Sequence, residues 1–227
     1  MAITTAILLP GLDGTGDLFG PFIAAAPQGI STIVVDYPTS EASIVVLEQR
    51  ARDKLTNRCI VIAESFSGPI GVRVATDDRV QALILCNSFI SSPILPALRH
   101  LVFAPLFAIP IPEFAFRYFL LGQQAHPVLV ENAQYALRRL PASVVAQRIR
   151  QVFQTNEQNA VRSLRKPVLY LRGLSDNVVA ERSWRELQRI RPDAQIVNIR
   201  GPHMLFQVSP VECWRAIVKF LEASAAG

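Results

Sequence analysis

The segment Ala63-Glu64-Ser65-Phe66-Ser67-Gly68 sets a serine between an apolar, strand-like run, Arg58 to Ala63, and a helix-like run, Gly68 to Ala75. A strand, a sharp turn and a helix with serine in the turn is the context of a nucleophile elbow. The residues two before and two after the serine must be small there, and Ala63 and Ser67 are small. A serine hydroxyl is a poor nucleophile until a base takes its proton. The chain has three histidines. His100 and His126 fall in a central segment without strand-like runs. His203 follows the last strand-like run, in Arg200-Gly201-Pro202-His203-Met204. Such a base needs an acidic partner to hold its tautomer. Asp176 stands just past the fifth strand-like run, in Gly173-Leu174-Ser175-Asp176-Asn177. Ser65, Asp176 and His203 therefore follow three different strands in the order Ser, Asp, His. They are the expected nucleophile, acid and base.

Acyl chemistry at a serine also needs fixed donors for the negative charge that develops on the carbonyl oxygen. The first strand-like run leads into Pro10-Gly11-Leu12-Asp13-Gly14-Thr15-Gly16. A glycine-rich loop there can turn backbone N–H groups toward the serine. The expected donors are the N–H groups of Leu12 and Phe66. A carboxylate facing an oxyanion would oppose catalysis, so Asp13 is expected to point away and hold the Asp-Gly turn. Glu64 precedes the serine by one residue, and its side chain is expected to point away from the mouth of the site.

These residues need a scaffold. Apolar runs at Ile3 to Leu9, Ser31 to Asp36, Arg58 to Ala63, Val80 to Cys86, Val168 to Leu171 and Ala194 to Ile199 read as strands. Helical spacing marks Glu41 to Leu55, Gly68 to Ala75, Ala180 to Ile190 and Pro210 to Ala223. Near-continuous apolar strands alternating with helices imply a parallel sheet covered on both faces. Residues 88–166 interrupt the alternation. This stretch is rich in Phe, Leu, Pro and Arg, and reads as helices over Leu95 to Phe107, Glu113 to Leu121, Val128 to Leu140 and Ser143 to Thr155. Residues 1–87 and 167–227 are thus expected to form the core, and 88–166 an insertion at one edge of the sheet. Phe103, Phe107 and Phe119 of the insertion, with Met204 beside His203, are expected to line an apolar substrate pocket.

Composition narrows the possibilities. The 227 residues are 50% hydrophobic and 18% charged, so the chain can bury a core and wholesale disorder is excluded. Lys plus Arg is 23 against 18 for Asp plus Glu, a net charge of +5. Arg138-Arg139, Arg148/Arg150 and Arg162/Arg165/Lys166 are its densest basic patches, and they read as solvated helix faces. No basic stripe marks a nucleic-acid partner. Cys59, Cys86 and Cys213 are odd in number and lack metal-ligand spacing, so neither a disulfide framework nor a metal site is expected. The N-terminus has no basic region before its apolar run, and Pro105, Pro110 and Pro112 break the most lipid-like stretch. A signal peptide and a transmembrane segment are not expected, and a cytoplasmic location is.

PGLDGTG, AESFSG, YLRGLSDNVV and GPHMLF, in that order, resemble the α/β-hydrolase superfamily of serine esterases, lipases, thioesterases and acyltransferases. The resemblance covers most of the chain. It implies an α/β fold with a mostly parallel sheet, flanking helices and a helical cap where the insertion lies. It implies Ser65 as nucleophile, Asp176 as acid, His203 as base and Leu12 and Phe66 as oxyanion donors, with no cofactor. The expected activity is hydrolysis of a carboxylic ester or thioester with an apolar acyl or alcohol group. Pro10-Gly11 departs from the His-Gly of many members, and the usual leading strands have no room before it. PGLDGTG and ESFSG are also similar to acyltransferase-like members acting on lipophilic alcohols, so acyl transfer stays open. Two readings compete from outside the family. Gly14-Thr15-Gly16-Asp17-Leu18-Phe19-Gly20 with Asp36 could serve an NADP-dependent oxidoreductase, but Pro21, Pro27 and Gly29 leave little room for its helix. A non-catalytic binding protein could also keep the same fold.

Overall fold

A computed structural model describes residues 4–93, 102, 104–109 and 111–226. Among these, the strands are β1 Thr4–Leu9, β2 Ile30–Val34, β3 Cys59–Glu64, β4 Val80–Cys86, β5 Val168–Gly173 and β6 Gln195–Ile199. They form one sheet in the order β2-β1-β3-β4-β5-β6, and every pairing is parallel. Register puts Leu9, Ala63, Leu85, Tyr170 and Ile196 in one row across five strands. The loops bearing Leu12, Ser65, Asp176 and His203 all leave the sheet beyond that row. Open parallel sheets bind ligands at this carboxyl edge.

Alternation along the strands sorts side chains into two layers. Ile7, Leu9, Val61, Ala63, Leu83, Leu85 and Tyr170 face one layer. It is covered by α2 (Ile44–Asp53), α3 (Gly68–Val74) and α8 (Arg182–Ile190), through Leu47, Ile70 and Leu187. Ala6, Leu8, Ile60, Ile62, Ile84, Leu169 and Leu171 face the other. There α1 (Gly20–Ala24), α9 (Leu205–Val208) and α10 (Pro210–Ala226) supply Phe22, Phe206, Trp214 and Ile217. Phe22 stacks on Trp214 with centroids 4.3 Å apart, and Trp214 Nε1 donates to Phe22 O at 2.7 Å. Gly71 lets α3 close on β3, since a Cβ there would stand 2.7 Å from the Ala63 Cβ.

Between β4 and β5 the described residues hold a 3₁₀ turn, Ala104–Ala108, then α4 (Glu113–Phe116), a π-helical turn at Arg117–Leu121, α5 (Pro127–Arg138), α6 (Ala142–Gln154) and α7 (Gln158–Ser163). The expected helices over 113–121, 128–140 and 143–155 correspond to α4 with its π turn, α5 and α6. The helix expected over 95–107 falls largely outside the described residues, as do Phe103 and His100. α7 escaped the reading because its short apolar face, Val161 alone buried, carries little periodicity. After the glycine-rich loop come a 3₁₀ turn and the five-residue α1. A dinucleotide-binding unit would need a longer helix there.

Candidate active site

At the end of β3 the chain turns so sharply that Ser65 takes φ 48°. A non-glycine residue in this left-handed region is strained by about 1 kcal/mol or more and persists only when its surroundings fix it. They do so here. Ser88 Oγ donates to Ser65 O at 2.5 Å. Ser67 Oγ donates to Pro10 O at the end of β1, and Tyr37 Oη lies 2.8 Å from Ser67 Oγ. With its own hydrogen committed to Pro10, Ser67 accepts from Tyr37, whose phenol is held protonated by burial. The serine two places after Ser65 thus does what a glycine could not, tying the elbow to the neighbouring strand. Gly68 must be bare, because a Cβ would fall 1.9 Å from Ser88 Oγ.

The three residues expected to act together meet at this turn. His203 Nε2 lies 2.8 Å from Ser65 Oγ, and His203 Nδ1 lies 3.0 Å from Asp176 Oδ1. One tautomer serves both contacts: Nδ1–H donates to Asp176, and Nε2 accepts from the serine hydroxyl. Both side chains are buried. Asp176 Oδ1 also accepts from Val178 N at 2.8 Å and Val179 N at 3.1 Å, which fixes the carboxylate.

Asn87, just past β4, stitches the two loops together. Its Oδ1 accepts from Gly173 N at 2.7 Å, and its Nδ2 donates to Pro202 O at 3.0 Å and His203 O at 2.8 Å. It sits at φ 43°, a region asparagine tolerates better than most residues. Sequence reasoning missed Asn87, because Cys86-Asn87-Ser88 reads only as a strand ending.

The loop after β1 runs directly beside the serine: a Cβ on Gly11 would stand 4.0 Å from the Ser65 Cβ. Gly14 and Gly16 adopt φ 75° and 72°, and Gly14 N donates to Gly11 O at 3.2 Å. Asp13 Oδ2 accepts from Thr15 N at 3.0 Å and Thr15 Oγ1 at 2.8 Å. The carboxylate therefore holds its own turn, as expected, but it does not leave the site, because Asp13 lines the cavity together with Ser65. Behind the loop, Arg148 Nη1 donates to Leu12 O at 2.7 Å. The reading of Arg148 as part of a solvated face is corrected: it is fully buried, because α6 packs that side on the loops rather than on water. Phe66 packs its ring into the layer under α3.

A cavity of about 710 Å³ opens over Ser65 and His203. Met204, Phe107, Phe116, Leu120, Leu18 and Ile149 are among its walls, with Gln134 and Arg138 from α5. Of the pocket residues expected from sequence, Met204 and Phe107 line it. Phe119 does not: it is 46% exposed and meets Tyr118 edge-on. Phe116 of α4 and Leu120 of the π turn line it instead. The expectation that Glu64 points away from the mouth of the site is corrected: Glu64 and Asp13 also border the cavity. Glu64 accepts from Gln207 Nε2 at 3.3 Å, and its Oε1 has no hydrogen-bond partner. Burial, and then the charge of nearby Asp13, push the Glu64 carboxyl up to about 8, so it keeps its proton at neutral pH. His126 caps α5, accepting from Val128 N at 3.3 Å. Cys59, Cys86 and Cys213 are buried free thiols. Among the described residues no group of three or more His, Cys, Asp or Glu could hold a metal ion, and no helix is long and apolar enough to cross a membrane.

No protein-family model matches the chain. A 2-(acetamidomethylene)succinate hydrolase of Mesorhizobium japonicum is 32% identical over 88 residues, 38% of this chain and 32% of that protein. The chain thus matches about a third of that relative's length. Among solved structures, the enol-lactonase from Burkholderia xenovorans LB400 superposes with TM-score 0.82 at 17% identity, covering 98% of this chain and 92% of that one. An esterase from Exiguobacterium antarcticum gives TM-score 0.82 at 12% identity, covering 97% and 92%. At such low identities the likeness is one of fold. Strand order, crossover helices and these superpositions together give the chain the α/β-hydrolase fold.

Proposed function

We propose that the protein is a serine hydrolase that cleaves a carboxylic ester with an apolar acyl or alcohol group. The observation that carries this reading is the hydrogen-bonded chain from Ser65 through His203 to Asp176, opening into an apolar cavity. A carbonyl entering the cavity meets the Ser65 hydroxyl. His203 takes the hydroxyl proton as Oγ bonds to the carbonyl carbon, and Asp176 stabilises the resulting imidazolium. The N–H groups of Leu12 and Phe66 receive the oxyanion. His203 then gives the proton to the departing alkoxide as the ester C–O bond breaks. Water, activated by the same histidine, releases the acid and restores Ser65.

The relatives agree with this class of chemistry. The Mesorhizobium protein is named a hydrolase, and the two superposed structures are named an enol-lactonase and an esterase. The lining of the cavity favours a hydrophobic acyl chain over a polar one.

The test is a series of p-nitrophenyl esters from acetate to laurate, run with Ser65→Ala and His203→Ala alongside the native protein. The proposal expects hydrolysis with a preference for longer chains, lost in both variants. Hydrolysis that survives Ser65→Ala would reject the assignment.

A further inference from the structure

We propose that Arg148 is a positioning residue, holding the Leu12 loop in the geometry that receives the oxyanion; this rests on the serine-hydrolase reading of the site. Its guanidinium donates four hydrogen bonds to three carbonyls. Nε and Nη2 reach Glu41 O at 3.0 and 2.9 Å, Nη2 also reaches Pro38 O at 2.9 Å, and Nη1 reaches Leu12 O at 2.7 Å. Among the described residues Arg148 has no ion pair.

A buried cation without a bonded carboxylate is an expensive way to fasten a helix. Its desolvation is a cost that a leucine or methionine would avoid. What arginine adds is its planar fork, which can satisfy divergent acceptors at once. The surroundings are shaped to admit it. A Cβ on Gly14 would lie 2.5 Å from Nη1 and 2.9 Å from the Tyr37 Cβ, so the loop is bare where the guanidinium passes. Tyr37, whose ring centroid lies 5.9 Å from the Arg148 Cζ, also bonds Ser67 of the elbow. Tyr37 N donates to Gly14 O at 2.7 Å. Arg148 thus meets both partners of the site: the loop that bears Leu12, and the tyrosine that braces the turn of Ser65.

The same helix walls the cavity. Val145 and Ile149 of α6 line it, and Arg148 lies between them in sequence. α6 therefore joins the wall of the cavity to the loop twice, through the Arg148 bond to Leu12 O and through the packing of Leu12 against the cluster that holds Val144 and Val145. Arg150, two residues on, supplies an internal contrast. Its Nε and Nη2 donate to Val102 O at 3.0 and 2.8 Å, and it bonds nothing in the Leu12 loop.

The experiment compares Arg148→Met, Arg148→Lys and Arg150→Met with the native protein. It measures ester hydrolysis and the hydrogen exchange of the segment spanning residues 9–17. Misplacing a catalytic group by about 1 Å costs about 100-fold in rate. Arg148→Met is expected to lower kcat by about that factor with little change in KM. Exchange should speed up in residues 9–17 more than in the sheet. Arg148→Lys keeps the charge but has no fork, and is expected to fold and recover kcat only in part. Arg150→Met is expected to keep native kcat. Native kcat in Arg148→Lys would overturn the proposal, and that arm stands even if Arg148→Met fails to fold. So would an equal loss in Arg150→Met, which would make Arg148 only an anchor of the helix. If Ser65→Ala retains turnover, the serine reading fails separately, and exchange in residues 9–17 still reports whether Arg148 holds the loop.

Discussion

His203 Nε2 stands 2.8 Å from Ser65 Oγ although 138 residues separate them in the chain. Neither residue holds the other there. Ser65 is fixed by a strained turn braced through Ser67 and Ser88. The backbone of His203 is fixed by Asn87, which also holds Gly173 on the strand leading to Asp176.

Asn87→Ala should therefore damage activity as well as stability. It leaves Gly173 N, Pro202 O and His203 O without this partner inside the protein. A loss of about 2–4 kcal/mol is expected in denaturant unfolding. Among folded molecules kcat should fall at least about tenfold, because the imidazole loses its aim. A stable variant with native kcat would show that the loops hold themselves.

Gly68→Ala tests the elbow. The added methyl would meet Ser88 Oγ at 1.9 Å and Phe89 O at 2.9 Å. Overpacking of this kind costs about 3 kcal/mol. Urea unfolding measures it, and adding Ser88→Gly should recover part of the loss by removing the nearer obstacle.

Phe116 and Phe119 should separate cleanly. Phe116→Ala enlarges the cavity, so it should shift preference toward bulkier or longer acyl chains and raise KM for the native optimum. Phe119→Ala, at an exposed ring outside the cavity, should leave both unchanged. Chain-length profiles for the two variants provide the check.

Glu64 gives a pH prediction. The unfolded chain releases this proton near pH 4.5, the folded protein only near 8. Between those values the folded state binds more protons than the unfolded one, so this group's contribution to stability falls as pH rises and then levels off. Glu64→Gln removes the ionisation and can keep the contact with Gln207. Its melting temperature should exceed that of the native protein at about pH 8.5, with the gap closing toward about pH 5. A gap that is constant with pH would mean that Glu64 titrates normally.

The sheet and the placement of Ser65, Asp176 and His203 beyond three strand ends were legible because each depended on short-range chemistry. Apolar runs such as Val80–Cys86 end at turn residues, and Ser65, Asp176 and His203 each follow such an end. What stayed hidden depended on packing between distant segments. Arg148 looked like one more basic residue on an amphipathic helix, since nothing local tells a buried guanidinium from a solvated one. Phe119 looked like a pocket residue, since nothing local shows that its ring lies exposed against Tyr118. Asn87 acts on residues more than eighty positions away, which no local pattern encodes.

The most direct test of the account is labelling with a fluorophosphonate, followed by mass-spectrometric mapping of the modified residue. A single adduct on Ser65 is expected, lost in His203→Ala and slowed in Asp176→Asn. An adduct on another serine, or unchanged labelling of Ser65 without His203, would contradict it.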